Sequence, residues 1–160
     1  MKQVNIGTCI ATPESIQRGR LPISGTDDYL DIAIMQGSLP GPTGFVFGGM
    51  HGNEINGPAL VEKVLNTIDP TSLRGTLIFV PIMNRSGFYK SSRKTIEDDQ
   101  DLNRSFGPDN GTFSGKVAKT IREEIIVKSD YGIDCHDAGG LTALLPHPRV
   151  HVDALSLIHI

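Results

Sequence analysis

Apolar runs of strand length alternate along the chain with stretches in which apolar residues recur at helical spacing. Residues 29–36 are typical of a strand, and residues 76–83 are almost continuously apolar, as in a strand buried on both faces. A shorter apolar run covers residues 43–47, and the Gly- and Pro-rich segment 37–42 before it predicts a turn. Residues 1–28 are rich in Gly, Pro and Thr and predict only short β segments.

Two helices are predicted between and after these strands. Apolar residues recur at helical spacing over residues 59–68, and Asp69-Pro70 predicts the end of that helix. A second helical pattern covers residues 114–125, with Ser114 as a candidate N-cap.

The remaining segments complete the predicted fold. Residues 131–136 read as another strand, whereas the polar segment 84–110 has no clear period and is predicted to be a long functional loop. Alternating strands and helices predict an α/β fold, with a mixed, partly parallel sheet flanked by helices. A chain of 160 residues fits one domain, residues 1–160.

The composition argues against several classes of function. A net charge of −3 without a basic block offers little to nucleic acid. No apolar run reaches membrane-spanning length, and the N-terminus lacks the apolar core of a secretory signal. Cys9 and Cys135 do not make a disulfide framework. We therefore expect a cytoplasmic protein whose partner is a small molecule, and neither nucleic acid nor a membrane.

Two candidate metal ligands, His51 and Glu54, follow the apolar run at 43–47. The carboxyl ends of strands in an α/β sheet are where ligand-binding side chains converge. Gly48 and Gly49, which precede the pair, allow the backbone a tight approach that larger residues would forbid. Since such a pair also arises by chance, the alternative is a surface loop with an incidental histidine.

His136 supplies a third candidate ligand at the end of the predicted strand 131–136. Alternation in a strand puts Asp134 and His136 on one side and Cys135 on the other, so Cys135 is expected to be a buried apolar residue. Asp134 or Asp137 could orient an imidazole. The alternative for His136 is a hydrogen-bonded core histidine. Two His and one Glu with a position left for water is the ligand set of a hydrolytic zinc site.

The polar segment 98–108 contains candidates for substrate binding. The planar guanidinium of Arg104 can grip a carboxylate with two hydrogen bonds, and Asn103 is a neutral partner beside it. Arg93 precedes them by eleven residues and could reach the same pocket. The alternative is a solvated charged loop.

Three segments together resemble the succinylglutamate desuccinylase/aspartoacylase family, which has a zinc carboxypeptidase-like fold. The segments occur in the family's order and are Gly49-Met50-His51-Gly52-Asn53-Glu54, Asp101-Leu102-Asn103-Arg104-Ser105-Phe106 and Asp134-Cys135-His136-Asp137. The resemblance implies one zinc ion per chain, held by His51, Glu54 and His136.

The same resemblance implies a hydrolase that removes an acyl group from an N-acyl amino acid or a related small amide. Asn103 and Arg104 would bind the substrate carboxylate, and Arg93 would polarise the carbonyl group that is attacked. Two alternatives stay open: a zinc carboxypeptidase acting on peptides, and a catalytically inactive, truncated zinc-binding fragment. The oligomeric state is not predicted.

The chain departs from the family pattern after its third predicted ligand. Family members carry a glutamate downstream of that ligand as general base and acid, whereas the only acidic residue after Asp137 here is Asp153. Residues 150–160 do not resemble family sequence either. We therefore expect a C-terminally truncated member with an incomplete fold, which binds zinc and hydrolyses substrate poorly or not at all.

Overall fold

The computed structural model describes residues 3–108, 110–140, 145, 147 and 158–159. Most of segment 150–160, for which non-family sequence is predicted, thus lies outside the described residues. The α-helices are α1 (Asn56–Thr67), α2 (Arg85–Tyr89) and α3 (Phe113–Glu124). The strands are β1 (Val4–Ile6), β2 (Cys9–Ala11), β3 (Ser15–Pro22), β4 (Tyr29–Gln36), β5 (Leu39–Gly48), β6 (Arg74–Val80), β7 (Tyr131–Cys135) and β8 (Ile158–His159). Short 3-10 turns lie at Pro70–Ser72, Leu102–Arg104 and Ile126–Lys128.

The main sheet is mixed, with the strand order β3-β4-β6-β5-β7-β8. Strand β4 is antiparallel to both β3 and β6, whereas β5 runs parallel to β6 and β7, and β7 runs parallel to β8. Strands β1 and β2 form a separate antiparallel hairpin. The parallel strands β6, β5 and β7 therefore end at one edge of the sheet. This topology confirms the predicted α/β fold with a mixed, partly parallel sheet.

Helices cover both faces of the sheet, because successive strand residues point to opposite sides. On one face, Phe47 belongs to a buried cluster that includes Ile121 of α3. On the other face, Val46 belongs to a cluster that includes Val61 of α1. Each fully buried side chain of this size stabilises the fold by about 1.5–3 kcal/mol. Packing on both faces therefore fixes β5 and the residues that follow it. None of the helices described is long and apolar enough to cross a membrane.

The strongest hydrophobic patterns predicted their elements well. Strand β4 covers the predicted residues 29–36, and α1 and α3 occupy the predicted helical stretches. Strand β6 stops at Val80, short of the predicted residue 83, because Pro81 follows and has no N–H to donate. Strand β7 stops at Cys135, so that the next residue, His136, lies just past the strand rather than within it.

The predicted turn at 37–42 is wrong over most of its length. Residues 37–38 alone separate β4 from β5, and residues 39–42 belong to β5. The register of β5 against β6 shifts between Leu39 and Thr43. Prolines are tolerated at such an irregularity because the ladder does not require their missing N–H. The Pro and Gly signals therefore marked a bulge within a strand and not a turn.

Two predictions for the second half of the chain also need correction. The segment 84–110 is not one continuous loop, since it contains α2 and the turn Leu102–Arg104. Helix α2 is only five residues long, which is too short to show a hydrophobic period. Ser114 is not an N-cap: Thr112 holds that position, and its hydroxyl accepts a hydrogen bond from Gly115 N at 3.1 Å.

Candidate metal centre

Glycines shape the loop that leaves β5. Strand β5 ends at Gly48, whose carbonyl oxygen accepts a hydrogen bond from Met83 N at 3.0 Å. Gly49 has a left-handed φ of 61°, which glycine adopts without strain. A Cβ atom on Gly52 would lie 2.0 Å from the backbone of Gly87 in α2. The loop between β5 and α1 is therefore pressed closely against the chain that follows β6.

This loop and the end of β7 bring together the three residues predicted to hold zinc. One potential ligand atom from each of His51, Glu54 and His136 lies within 4.8 Å of the other two. The Glu54 carboxylate lies between the rings, with Oε1 2.7 Å from His51 Nδ1 and Oε2 2.8 Å from His136 Nδ1. His51 and Glu54 are only 3% and 4% exposed. The three side chains thus form a compact, largely buried cluster.

An aspartate faces the second nitrogen of each imidazole. His51 Nε2 is 3.0 Å from Asp101 Oδ1, and His136 Nε2 is 2.8 Å from Asp134 Oδ2. A carboxylate in that position fixes the orientation and tautomer of a metal-binding imidazole and raises its basicity. Both rings are thereby held with Nδ1 toward the Glu54 carboxylate.

Of the two aspartates considered as partners for His136, Asp134 makes the contact. Asp137 instead accepts a hydrogen bond from Asn56 N at the start of α1, at 2.8 Å. Its own N–H donates to Glu54 Oε2 at 3.2 Å. Asp137 therefore ties the segment after β7 to α1 and to the central carboxylate of the cluster.

Opposite pKa shifts favour an ionised Glu54 beside a protonated His136 at neutral pH when no metal is bound. Burial alone would raise the pKa of Glu54, but hydrogen bonds with His136 and His51 outweigh it and lower the pKa to about 2. Burial lowers the pKa of His136, while hydrogen bonds to Asp134 and Glu54 raise it, to a net value of about 9. A divalent cation can replace the proton on His136, since metal binding needs a neutral imidazole and an ionised carboxylate. Two nitrogen donors and one carboxylate oxygen fit zinc.

Cys135 is confirmed as a buried residue rather than a candidate ligand. It is 4% exposed and packs in the cluster that includes α1. Burial raises the pKa of its thiol to about 11, so the thiol is protonated at neutral pH. Cys9 and Cys135 are both free.

Arg93 lies at the rim of the cluster. Its Nη2 is 3.1 Å from Asp101 Oδ2, and its Nη1 is 3.6 Å from Glu54 Oε1. The side chain is 49% exposed, so one part of the guanidinium faces solvent while another faces the buried carboxylates. A cation in this place can meet negative charge that develops on a bound substrate.

The structure places Asn103 and Arg104 beside the cluster through their backbone. Asp101 caps the turn Leu102–Arg104, because its Oδ1 accepts a hydrogen bond from Asn103 N at 3.0 Å. Arg104 is exposed, and its Nη1 lies 3.4 Å from the carbonyl oxygen of Asn103. The substrate-binding role of the two side chains stays a prediction.

Asp101 is the site residue that sequence reasoning missed. It contacts His51 and Arg93 through its side chain and also caps the turn that contains Asn103. An Asp at the start of a short turn is a recognisable capping signal. That signal does not show that the same carboxylate orients a histidine fifty residues earlier in the chain.

A separate cavity of about 280 Å³ lies away from the cluster. Its charged lining residues are paired with each other: Arg18 makes two hydrogen bonds to Glu62, at 3.0 and 2.9 Å, and Arg85 Nε lies 3.8 Å from Asp31 Oδ2. None of the three candidate metal ligands lines this cavity. This cavity is therefore separate from the candidate metal centre.

Comparison with known proteins finds one matching family and a curated relative of similar sequence. A family model described as the succinylglutamate desuccinylase/aspartoacylase catalytic domain matches residues 40–159. The N-alpha-acetyl-L-2,4-diaminobutyric acid deacetylase of Halomonas elongata is 28% identical over 146 residues, 87% of this chain and 43% of that protein. The chain therefore spans about two-fifths of the length of this curated relative.

Two solved structures share the fold and a similar level of identity. A succinylglutamate desuccinylase from Silicibacter sp. TM1040 is 30% identical with a TM-score of 0.68, covering 78% of this chain and 40% of that one. The product-bound ectoine utilization protein of Ruegeria pomeroyi is 29% identical with a TM-score of 0.65, covering 77% and 39%. With a family match over 120 of 160 residues, this chain belongs to the succinylglutamate desuccinylase/aspartoacylase family.

Proposed function

We propose that the protein is a zinc-dependent hydrolase that removes an acyl group from an N-acyl amino acid or a related small amide. The observation that carries the proposal is the cluster of His51, Glu54 and His136, in which each imidazole is also held by an aspartate. Membership of a deacylase family supports the same reaction class.

The residues of the cluster bind the metal, and Arg93 at its rim contacts the substrate. His51, Glu54 and His136 would hold zinc, which supplies Lewis-acid polarisation of a carbonyl group and a nucleophilic water at neutral pH. Arg93 stabilises negative charge on the carbonyl oxygen, because its guanidinium already lies at the rim of the cluster.

The substrate end distant from the reacting bond would be fixed by the turn at 102–104. Arg104 offers a planar fork to a carboxylate, and Asn103 offers an amide beside it. Fixing the carboxylate orients the amide bond for attack. The deacetylase of H. elongata, which is named for an N-acetylated amino acid, supports this substrate class.

Metal binding is tested first, on the purified chain. We expect close to one zinc per chain by elemental analysis, with zinc lost in His51→Ala and in His136→Ala. The control is His147→Ala, because His147 is exposed and lies outside the cluster. A wild-type protein that holds no more zinc than the two variants would contradict the proposal.

Substrate class is tested by comparing two panels on the zinc-loaded chain. N-acetyl and N-succinyl amino acids form one panel, and dipeptides with a free C-terminal carboxylate form the other. Binding of the first panel in preference to the second is the expected result, and the reverse order would favour the carboxypeptidase alternative. We further predict little turnover, because no residue of the chain is assigned as the general base.

A further inference from the structure

The 93–101 loop carries two charged side chains that approach the metal ligands. Its last residue, Asp101, is 3.0 Å from His51 Nε2, and its first residue, Arg93, is 3.6 Å from Glu54 Oε1. Neither residue lies on a strand or a helix. The positions of both groups therefore depend on whatever holds this loop in place.

The loop is fastened to α3 by a network of three side chains, Asp98, Thr95 and Ser114. Asp98 Oδ2 accepts a hydrogen bond from Ser114 N at 2.7 Å, and its Oδ1 lies 2.9 Å from Ser114 Oγ and 2.6 Å from Thr95 Oγ1. The two hydroxyl oxygens are 2.5 Å apart. Thr95 and Ser114 are 2% and 0% exposed, so water cannot readily replace these contacts.

The network favours an ionised carboxylate at Asp98. Burial raises the pKa of this carboxyl group, but hydrogen bonds from Thr95 and Ser114 outweigh burial and lower it. Thr95 Oγ1 also lies 3.0 Å from the Gln100 carbonyl oxygen, so two hydroxyl hydrogens are shared among four contacts, and Asp98 Oδ1 is an acceptor available to both hydroxyls. Ser114 N belongs to the first turn of α3, where amide groups have no partner within the helix and favour a negative charge. An Asn side chain at position 98 that kept its oxygen toward the two hydroxyls would turn its NH2 group toward Ser114 N, which can only donate.

Hydrogen bonds connect this network directly to the end of the loop at Asp101, beside the metal ligands. Thr95 N donates to the Gln100 carbonyl at 3.0 Å, and Gln100 N donates to Asp98 Oδ1 at 3.3 Å. Asp99 adopts a left-handed φ of 52°, an unfavourable conformation that the surrounding hydrogen bonds maintain. Because Gln100 immediately precedes Asp101, a change at Asp98 is transmitted to the carboxylate that holds His51.

We propose that Asp98 is a positioning residue for the metal centre, which sets the place of Asp101 and Arg93 by fastening the 93–101 loop to α3. The inference rests on the proposed function, since the group that benefits is the metal site. The hydrogen bonds of Asp98 go to Thr95, Gln100 and Ser114, so Asp98 acts on the metal ligands through other residues.

The test measures zinc affinity of the full chain by competition with a chromophoric chelator. We expect Asp98→Asn to weaken zinc binding about fivefold and Thr95→Val, which keeps the shape and removes one hydroxyl, about threefold; partners of metal-ligating histidines typically contribute 10–100-fold. Two controls are Ile121→Val, a core change in α3 that lowers stability without touching the network, and Asp99→Asn at the loop surface. Both should stay within about twofold of wild type.

A double-mutant cycle separates positioning from general stabilisation. In the Asp101→Asn background, Asp98→Asn should change zinc affinity by less than about twofold, because the residue through which it acts is already altered. A fivefold effect that persists in that background, or an equal effect of Ile121→Val, would overturn the proposal. So would unchanged zinc affinity in both Asp98→Asn and Thr95→Val.

A second measurement keeps this inference distinct from the proposed function. If wild type binds no zinc, the proposed function fails, and the ring N–H signals of His51 are then compared by NMR in the metal-free protein. Loss or strong shift of the signal in Asp98→Asn, with no change in Ile121→Val, supports positioning of Asp101. An unchanged signal in Asp98→Asn would overturn it.

Discussion

The candidate metal centre joins two regions that are built in different ways. His51, Glu54 and His136 follow the ends of β5 and β7, whose residues are packed on both faces of the sheet. Arg93 and Asp101 lie on a loop that side-chain hydrogen bonds hold against α3. The packed sheet therefore places the metal ligands. Arg93 and Asp101, in contrast, are placed by polar contacts, which a single substitution can disturb.

The largest expected effect comes from removing the charge of Glu54, whose carboxylate lies between the two candidate histidine ligands. Glu54→Gln keeps the side-chain shape, but it removes the one anionic donor of the set, so zinc affinity should fall more than about a hundredfold. A competition titration measures this directly. Glu62→Gln is the matched control, because Glu62 forms an exposed pair with Arg18 at 2.9 Å, away from the cluster. Tight zinc binding by Glu54→Gln would place the metal elsewhere.

The next effect is the dependence of zinc affinity on pH. Below the pKa of about 9 for His136, zinc must displace the proton on that ring, so affinity should rise about tenfold per pH unit between roughly pH 6.5 and 8.5. Titrations at several pH values in non-coordinating buffers provide the measurement. Affinity that is flat across this range would show that no such proton is displaced.

Stability of the metal-free protein should follow the opposite trend. The pKa of His136 is raised above its ordinary value of 6.5, so its contribution is complete below about pH 6.5 and is lost as pH rises through about 9. The pKa of Glu54 is lowered from 4.5, so its contribution is present above about pH 4.5 and is lost as pH falls through about 2. These two groups therefore favour a maximum of thermal stability between about pH 4.5 and 6.5, which thermal unfolding without zinc can locate.

A smaller effect compares the two aspartates that orient the imidazoles. Asp134 is fully buried on β7, whereas the Asp101 side chain is 21% exposed on the loop. Asp134→Asn should therefore weaken zinc binding toward the upper end of a roughly 10–100-fold range, and Asp101→Asn toward its lower end. The same competition titration ranks them. Equal effects, or the reverse order, would show that a position on the sheet gives Asp134 no advantage over Asp101 on the loop.

The same contrast explains how much the sequence could predict. Strand β4 and helix α1 were predicted well because their apolar periods report burial, which is the main determinant of both elements. His51, Glu54 and His136 could be proposed because each follows an apolar run that ends at the same sheet edge. Local sequence patterns were sufficient there, since the sheet supplies the long-range geometry.

Local patterns were not sufficient where contacts between distant side chains decide the structure. No sequence period links Asp101 to His51, or Asp98 to Ser114, because each pair meets only after the sheet and α3 have formed. The Pro-rich start of β5 was misread for a related reason. Its strand pairing depends on a register shift against β6, which appears only when both strands are in place.

The smallest expected effect on metal binding comes from Arg104, in the turn that follows the 93–101 loop. Arg104 is exposed and lies beyond the contacts that Asp101 makes with His51, so Arg104→Ala should leave zinc affinity within about twofold of wild type. Its effect should instead fall on the ligand carboxylate. In calorimetric titrations of the zinc-loaded chain, wild type should prefer an N-acetyl amino acid to its C-terminal amide by about fivefold, and Arg104→Ala should lose that preference. Arg104→Lys keeps the charge without the planar fork and should retain part of it. A preference that survives in Arg104→Ala would assign carboxylate binding to another group and would remove the turn at 102–104 from the substrate site.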